Sequence, residues 1–235
     1  MISVLKRELG SYFALPLGYI FLCVFWVLGS GFFYFYSLQA GTADLSVLFG
    51  NLSYLLILVM PLLTMRLLSE EKRQKTDQLL LCTPTSTAMA VLGKYVAALV
   101  MLLLAMAGTL IYPILLSWLT PLAFGAAASC YLGFFLLGSS YAAIGLMMSA
   151  VTENQLTAAV LTLCAYMVLQ LCEMAAASVV GSLGVIIRLF RLQTHFFQFT
   201  TAVFSPVDIA YFLLFDCAAV VLSICVMQSR KLAGR

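Results

Sequence analysis

Residues 65–94 read MRLLSEEKRQKTDQLLLCTPTSTAMAVLGK, and this stretch decides how the rest of the chain is arranged. Only 9% of the 235 residues are charged, yet Arg66, Glu70, Glu71, Lys72, Arg73, Lys75, Asp77 and Lys94 fall inside it, between two long apolar runs. Charge at that density belongs in water. A loop this rich in Lys and Arg between membrane spans is expected on the cytoplasmic side, because basic residues resist translocation. Its inner part, residues 70–81, carries good helix formers and opposite charges one turn apart at Glu71 and Lys75, followed by Thr83-Pro84 as a stop. The pattern predicts a short surface helix ending at Thr83.

Composition bounds the class. A soluble domain is typically about 45–50% apolar, whereas this chain is 64% hydrophobic with a mean hydropathy of +1.10. It reads as a polytopic membrane protein, with the lipid bilayer as its solvent. The formal charge of +3 is accounted for by inner loops and gives no reason to propose nucleic acid as a partner. The 7 cysteines are odd in number, lie mostly in apolar runs and form no C-x-x-C pair, so they read as small buried residues rather than a disulfide framework or a metal site. The apolar run after Lys6 and Arg7 is too long for a signal-peptide core, and no small-residue cleavage site follows it, so the first span is expected to be retained.

Outward from the polar loop, apolar runs of about 20 residues, enough to cross a hydrocarbon core of about 30 Å, are expected at residues 17–36, 47–68, 95–118, 131–151, 156–180 and 207–227. Ahead of them, Ile2, Leu5, Leu9, Tyr12 and Phe13 recur at helical spacing while Lys6, Arg7, Glu8 and Ser11 fall off the stripe. This predicts an amphipathic interfacial helix over residues 1–16, ended by Pro16; a plain charged leader before a signal anchor is the alternative. Both readings put the N-terminus inside. Met60-Pro61 should kink the second span, and the third contains Pro113. The fourth is rich in small residues (Gly133, Gly138, Ser139, Ser140, Gly145, Ser149), which predicts close packing inside the bundle or against a second subunit.

Thr152, Glu153, Asn154 and Gln155 form a short inner link, in which Thr152 with Gln155 fits a capping box for the fifth helix. Over residues 181–206, Leu183, Ile186, Ile187 and Phe190 share one helical face, with Arg188, Arg191 and Gln193 off it and the aromatics Phe196, Phe197 and Phe199 following. This is an amphipathic outer segment or a re-entrant hairpin. All 12 Lys and Arg except Arg188 and Arg191 then fall on the inner side, and the C-terminal tail with Arg230, Lys231 and Arg235 ends there too.

The string MRLLSEEKRQKTDQLLLCTP followed by VLGKYVA resembles the signature loop of ABC-2 type permeases, the membrane subunits of ABC exporters, and specifically the gliding-motility-like branch. Met65, Arg66, Glu70, Glu71, Lys72, Arg73, Thr76, Leu80 and Pro84 fit the pattern M-R-x-x-x-E-E-[KR]-[KR]-x-G-T-x-E-x-L-L-x-x-P, with Leu79 at the free position before its leucine pair, while Lys75 stands at its glycine and Gln78 at its acid. KRELGSYFALPLGYIF, TENQLTAA and SPVDIAYFLL also look familial, so the resemblance extends over nearly the whole chain. It implies an all-α membrane protein of about six transmembrane helices forming one domain over residues 1–235, with a coupling loop at 69–94 and outer helices over the exit of the pathway.

The same resemblance implies a helix in the 69–94 loop that docks on a separate ABC ATPase. The contacts would come from Glu70, Glu71, Lys72, Arg73, Thr76, Leu79 and Leu80, with Glu153, Asn154 and Gln155 as a second inner loop. Further implied partners are a second permease copy or paralogue and an accessory membrane protein. ATP and Mg would be bound by the ATPase, leaving no cofactor in this chain, and the location implied is a bacterial cell membrane with both termini cytoplasmic.

No catalytic constellation is present in the sequence. The P-loop pattern G-x-x-x-x-G-K-[ST] fails at Gly93-Lys94, where Tyr95 follows and Ala88 stands at the first Gly. An intramembrane protease of the CAAX-processing type is the rival reading, because Glu70-Glu71 resembles its E-E-x-x-x-R motif. That match stops at Lys75, and the sole histidine, His195, falls in the outer segment. A channel or inert scaffold is the other alternative, and it leaves the dense loop unexplained.

Asp216 is the candidate intramembrane polar site, roughly 15 Å along its helix from Pro206 at 1.5 Å per residue. A carboxylate at that depth should face the bundle interior, water or hydrogen-bonding side chains. Glu173 is the second candidate, nearer an outer end. The expected topology places residues around Asp44, Pro121 and Arg191 outside and Lys75, Asn154 and Lys231 inside. Single cysteines in a background cleared of native Cys should divide the same way under an impermeant reagent. Protection of residue 191 from the outside would rule out the outer segment.

Overall fold

A computed structural model describes residues 2–14, 16–39, 45–70, 87–117, 124–176, 189–201 and 205–233. The surface helix expected at 70–81, apart from Glu70, lies outside these residues, as do Asp44, Pro121 and positions 181–188. Among the described residues the fold is helical, without strands: α1 (Ile2–Ala14), α2 (Pro16–Phe33) continuing as a π-helix (Tyr34–Gln39), α3 (Leu45–Thr64), α4 (Thr87–Thr109), α5 (Ile111–Ser117), α6 (Phe124–Val151), α7 (Gln155–Ala175), α8 (Leu192–Thr200) and α9 (Pro206–Ala233). Among the described residues, six segments are long and apolar enough to cross a membrane: Pro16–Ser37, Leu45–Thr64, Ala88–Ser117, Gly125–Val151, Gln155–Ala175 and Pro206–Ser229.

The fourth span, α6, is the centre of the bundle and packs against α9, α3, α8, α7 and α4. Its small residues explain why. A Cβ on Gly133 would come within 2.5 Å of the Phe199 Cβ in α8, one on Gly138 within 2.5 Å of Leu102 Cδ2 in α4, and one on Gly145 would overlap Thr64 in α3. Between those contacts Phe134 sits in an aromatic cluster, with ring centroids 6.2 Å from Phe25, 5.4 Å from Phe49 and 6.4 Å from Phe196. The second and fourth spans are accordingly the most buried, while the fifth and sixth keep most of their surface for surroundings outside the chain.

Two prolines behave differently. Pro61 lies inside α3, which runs through it without a break. The third span, expected as one helix, is broken at Leu110 into α4 and α5. Pro113 has no N–H to donate to the carbonyl of Thr109 four residues back, and its ring crowds that carbonyl. The Tyr131 hydroxyl of α6 donates to the Thr109 carbonyl instead, at 2.8 Å. Lateral cohesion of the first span comes from Trp26, whose Nε1 donates to the Ala105 carbonyl at 2.9 Å.

The interfacial stripe of α1 is largely as expected, with Tyr12 buried and Leu5 and Leu9 packed against the core. Phe13 is instead exposed. Tyr12 donates to the Leu63 carbonyl at the end of α3 at 3.0 Å. Burial, and then the nearby Glu8 carboxylate, raise its hydroxyl above the usual tyrosine range, so it stays a neutral donor.

Substitution of Gly145 by Val should cost about 1–3 kcal/mol through overpacking against Thr64. Ala at Gly125, which has nothing within 4 Å, should be neutral. Unfolding of both variants in detergent micelles checks the contrast, and equal stabilities would show that the α3–α6 approach is not tight.

Candidate functional site

The start of the polar stretch is bonded to the bundle. After α3 ends at Thr64, the chain turns through residues 65–68, and helix resumes at Ser69 and Glu70. Glu70 is paired with Arg66 one turn back. Glu71, Lys72, Arg73, Thr76, Leu79 and Leu80, the other residues assigned to ATPase coupling in the loop, lie outside the described residues.

Lys94 requires a correction. Its charge suggests a solvated end of the loop, but it lies in α4 and is 1% exposed. Its Nζ donates to the Leu67 carbonyl and lies 3.6 Å from Glu8 Oε1 of α1. Glu8 therefore turns toward the bundle, although its position off the apolar stripe suggests solvent. On the other side of the root, Ser149 Oγ of α6 accepts from the Leu68 and Ser69 amides, each at 3.0 Å. The signals missed in the sequence are a lysine bracketed by apolar residues in VLGKYVA and a serine within an otherwise apolar helix end.

The short link 152–154 also differs in detail from the capping-box reading. Helix α7 starts at Gln155, and its cap is Asn154, whose side-chain oxygen accepts from the Leu156 amide at 3.2 Å. Thr152 is turned back, donating to the Met148 carbonyl at 3.2 Å. A hydroxyl able to bond back into α6 is thereby lost to the next helix. Glu153 and Asn154 are exposed and Gln155 is half-buried. The link begins three residues after Ser149, so it lies at the same end of the bundle as the loop root.

Asp216 is 7% exposed and faces the interior of the bundle. Ser139 and Ser140 of α6 donate to Oδ2 and Oδ1, each at 2.6 Å, and the Tyr95 hydroxyl of α4 donates to Oδ2 at 3.0 Å. Of the environments open to it on the sequence, hydroxyl donors are the one that the structure supplies. They join spans three, four and six at one point.

Glu173, at the far end of α7, receives a hydrogen bond from Thr194 and lies 3.5 Å from Arg191 Nε. Beside it, His195 Nδ1 and Asp208 Oδ1 are 2.5 Å apart, and the His195 ring stacks on Tyr211 with centroids 4.0 Å apart. Gln193 Nε2 donates to Ser53 Oγ in α3. The segment expected to be amphipathic thus contains a short helix, α8, with Phe196 and Phe199 fully buried against α6. His195 is built into its polar edge. The structure brings together Arg66, Glu70, Lys94 and the 152–154 link at one end, Asp216 with its donors mid-span, and Glu173 at the other end. Among the described residues no group of three or more His, Cys, Asp and Glu could hold a metal ion.

These six apolar helices define a multi-pass membrane protein. The chain matches the profile of the ABC-2 family transporter proteins over residues 51–202, more than half of its length, and it belongs to that family. It is thus a permease of an ABC transporter, and proteins of this family generally work with ABC ATPase partners, often in pairs. The matched region runs from within α3 through residues 71–86 and the 152–154 link to the end of α8. No curated protein matches the chain.

Asp216→Asn, which keeps shape and hydrogen-bonding capacity, should leave assembly and stability close to wild type. The double variant Ser139→Ala/Ser140→Ala strands a buried carboxylate and should cost about 2–4 kcal/mol, taking hydrogen bonds to a charged group at about 1.5–3 kcal/mol each with incomplete additivity. Reversible unfolding in mixed micelles measures both. A double variant as stable as wild type would mean that Asp216 does not depend on these donors.

Proposed function

We propose that this permease is an exporter subunit of the gliding-motility-like branch, its residues 1–235 forming one transmembrane domain that moves an unidentified substrate. ATP, with Mg, is bound and hydrolysed by two separate ATPase subunits, and this chain itself carries no catalytic site. One bundle has no pathway of its own, so a second copy or paralogue completes it. Both termini and the 69–94 loop face the cytoplasm, and an accessory membrane protein joins the assembly.

Closure of the ATPase pair pushes the helix at residues 70–81. The push reaches the spans and rocks the two bundles between inward-open and outward-open arrangements. The 152–154 link, with Glu153, Asn154 and Gln155, forms the second contact at the same end.

The observation that carries this reading is the concentration of charge in a loop whose root is bonded to the ends of the spans. A solvated loop serving orientation alone needs basic residues but no fixed attachment. The protease alternative loses its support in the same geometry. Glu70 is engaged by Arg66, while His195 is bonded to Asp208 at the end of the bundle where α3 begins, opposite the loop root. Asp216 and Glu173 serve packing rather than cargo in this reading, since their hydrogen-bonding partners are already in place.

Reversal of charge in the loop tests the assignment. Glu70→Lys/Glu71→Lys should insert normally and, reconstituted in nanodiscs with its ATPase, lose stimulation of ATP turnover down to the level of the ATPase alone. Retention of full stimulation by the assembled double variant would rule out the coupling role.

A further inference from the structure

The chain between α3 and the loop takes partners for three backbone groups from other helices: the Leu67 carbonyl, and the Leu68 and Ser69 amides, which sit where helix resumes and N–H groups have no intrahelical acceptor. A local Ser, Thr, Asp or Asn ordinarily caps such a start. Here the cap comes from elsewhere. Ser149, fully buried in α6, accepts both amides with one oxygen at 3.0 Å each, and it lies 3.3 Å from the Met65 carbonyl. The Leu67 carbonyl takes its donor from Lys94 in α4.

Lys94 is the costly part of this arrangement. A buried ammonium is tolerated only with an opposite charge and hydrogen bonds in place, and Glu8 of α1 supplies the charge at 3.6 Å. Tyr12, one turn further along α1, bonds the Leu63 carbonyl on the same stretch of α3. The root of the loop is therefore tied to span four through Ser149 and to span three through Lys94, and α1 joins them through Glu8 on Lys94 and Tyr12 on the end of α3. The root cannot shift relative to the spans without breaking a buried hydrogen bond, and α4 cannot part from α1 without separating Lys94 from the half-buried Glu8 carboxylate.

We infer that Lys94, Glu8 and Ser149 are positioning residues that make the loop root, α1 and the adjoining ends of spans three and four move as one rigid unit, so that a displacement of the loop is delivered to those spans together. The mechanical consequence rests on the coupling function proposed for the loop. The rigidity itself does not, and it is measurable without an ATPase.

The test is double electron–electron resonance on the full-length chain in nanodiscs, in a background cleared of native Cys. One spin-label pair is at positions 10 and 151, on α1 and the adjoining end of span four, and a control pair is at 117 and 207, reporting on the opposite end. Wild type should give a single narrow distance peak for the inner pair. Lys94→Met, Glu8→Gln and Ser149→Ala should each lose that peak to a broad distribution while the control pair stays unchanged.

An inner pair as narrow as wild type in both Glu8→Gln and Ser149→Ala would overturn the inference. Broadening of the control pair together with the inner pair in Lys94→Met would also overturn it, because that pattern marks general loosening rather than positioning. The Glu70/Glu71 charge reversal decides the coupling role separately, so failure of one reading is distinguishable from failure of the other.

Discussion

The bundle depends on how closely its neighbours approach α6. Within a membrane, lipid tails are as apolar as leucine side chains, so helices are held together by close packing and hydrogen bonds rather than by exclusion of water. The three glycines of α6 receive Phe199, Leu102 and Thr64. These contacts bring α8, α4 and α3 near enough for hydroxyl groups to finish the attachment. Ser129 donates to the Phe199 carbonyl at 2.8 Å, Ser139 and Ser140 reach Asp216, and Ser149 reaches the turn after α3. Tyr166 of α7 adds a bond to the Tyr141 carbonyl at 2.5 Å. A bulkier residue at any of the three glycines would lift a neighbour away and leave such polar groups unpaired in hydrocarbon, where each is expensive.

Among the described residues, three polar groups within the spans have partners supplied by protein rather than lipid. Lys94 has a carbonyl and a carboxylate, Asp216 has three hydroxyls, and the carbonyl released by Pro113 has the Tyr131 hydroxyl. Each is a local exception to an apolar span, and each joins separate elements: α4 to α1 and the turn after α3, α9 to α6 and α4, α4 to α6. The polar groups therefore fix which helices are neighbours and in what register, a task that the apolar contacts by themselves leave loosely specified.

The sequence disclosed what depends on runs and local pattern. Six spans, the central place of the fourth, the inward-facing Asp216 and the stripe on α1 followed from apolar length, small residues, a lone carboxylate and helical periodicity. Pairing over long separations was not legible. Nothing in the neighbourhood of Lys94 points to Glu8, and a lysine at the edge of an apolar run looks the same whether it meets water or a half-buried carboxylate. Two prolines in two spans gave equal reason to expect a distortion, and only the geometry around Thr109 shows where the break falls. The cap of α7 moved two residues because Thr152 has a competing acceptor in the preceding turn. The residues expected to meet an ATPase stand apart from these cases, since they were assigned from a family pattern and all but Glu70 of the loop lies beyond the described residues.

Gln193, Thr194 and His195 occupy successive positions at the start of α8, and successive side chains on an α-helix diverge by about 100°. Each meets a different span: Ser53 of α3, Glu173 of α7 and Asp208 of α9. The body of the same helix is seated on α6 through Phe196, Phe199 and the bond from Ser129. This is a tripod standing on a fourth support. If the three outer legs spread, the seat on α6, made of buried aromatic surface, is the attachment least able to yield, and a polar leg must let go first. Any widening at this end of the bundle thus has to part α8 from at least one of three spans while its aromatic seat on α6 stays in place.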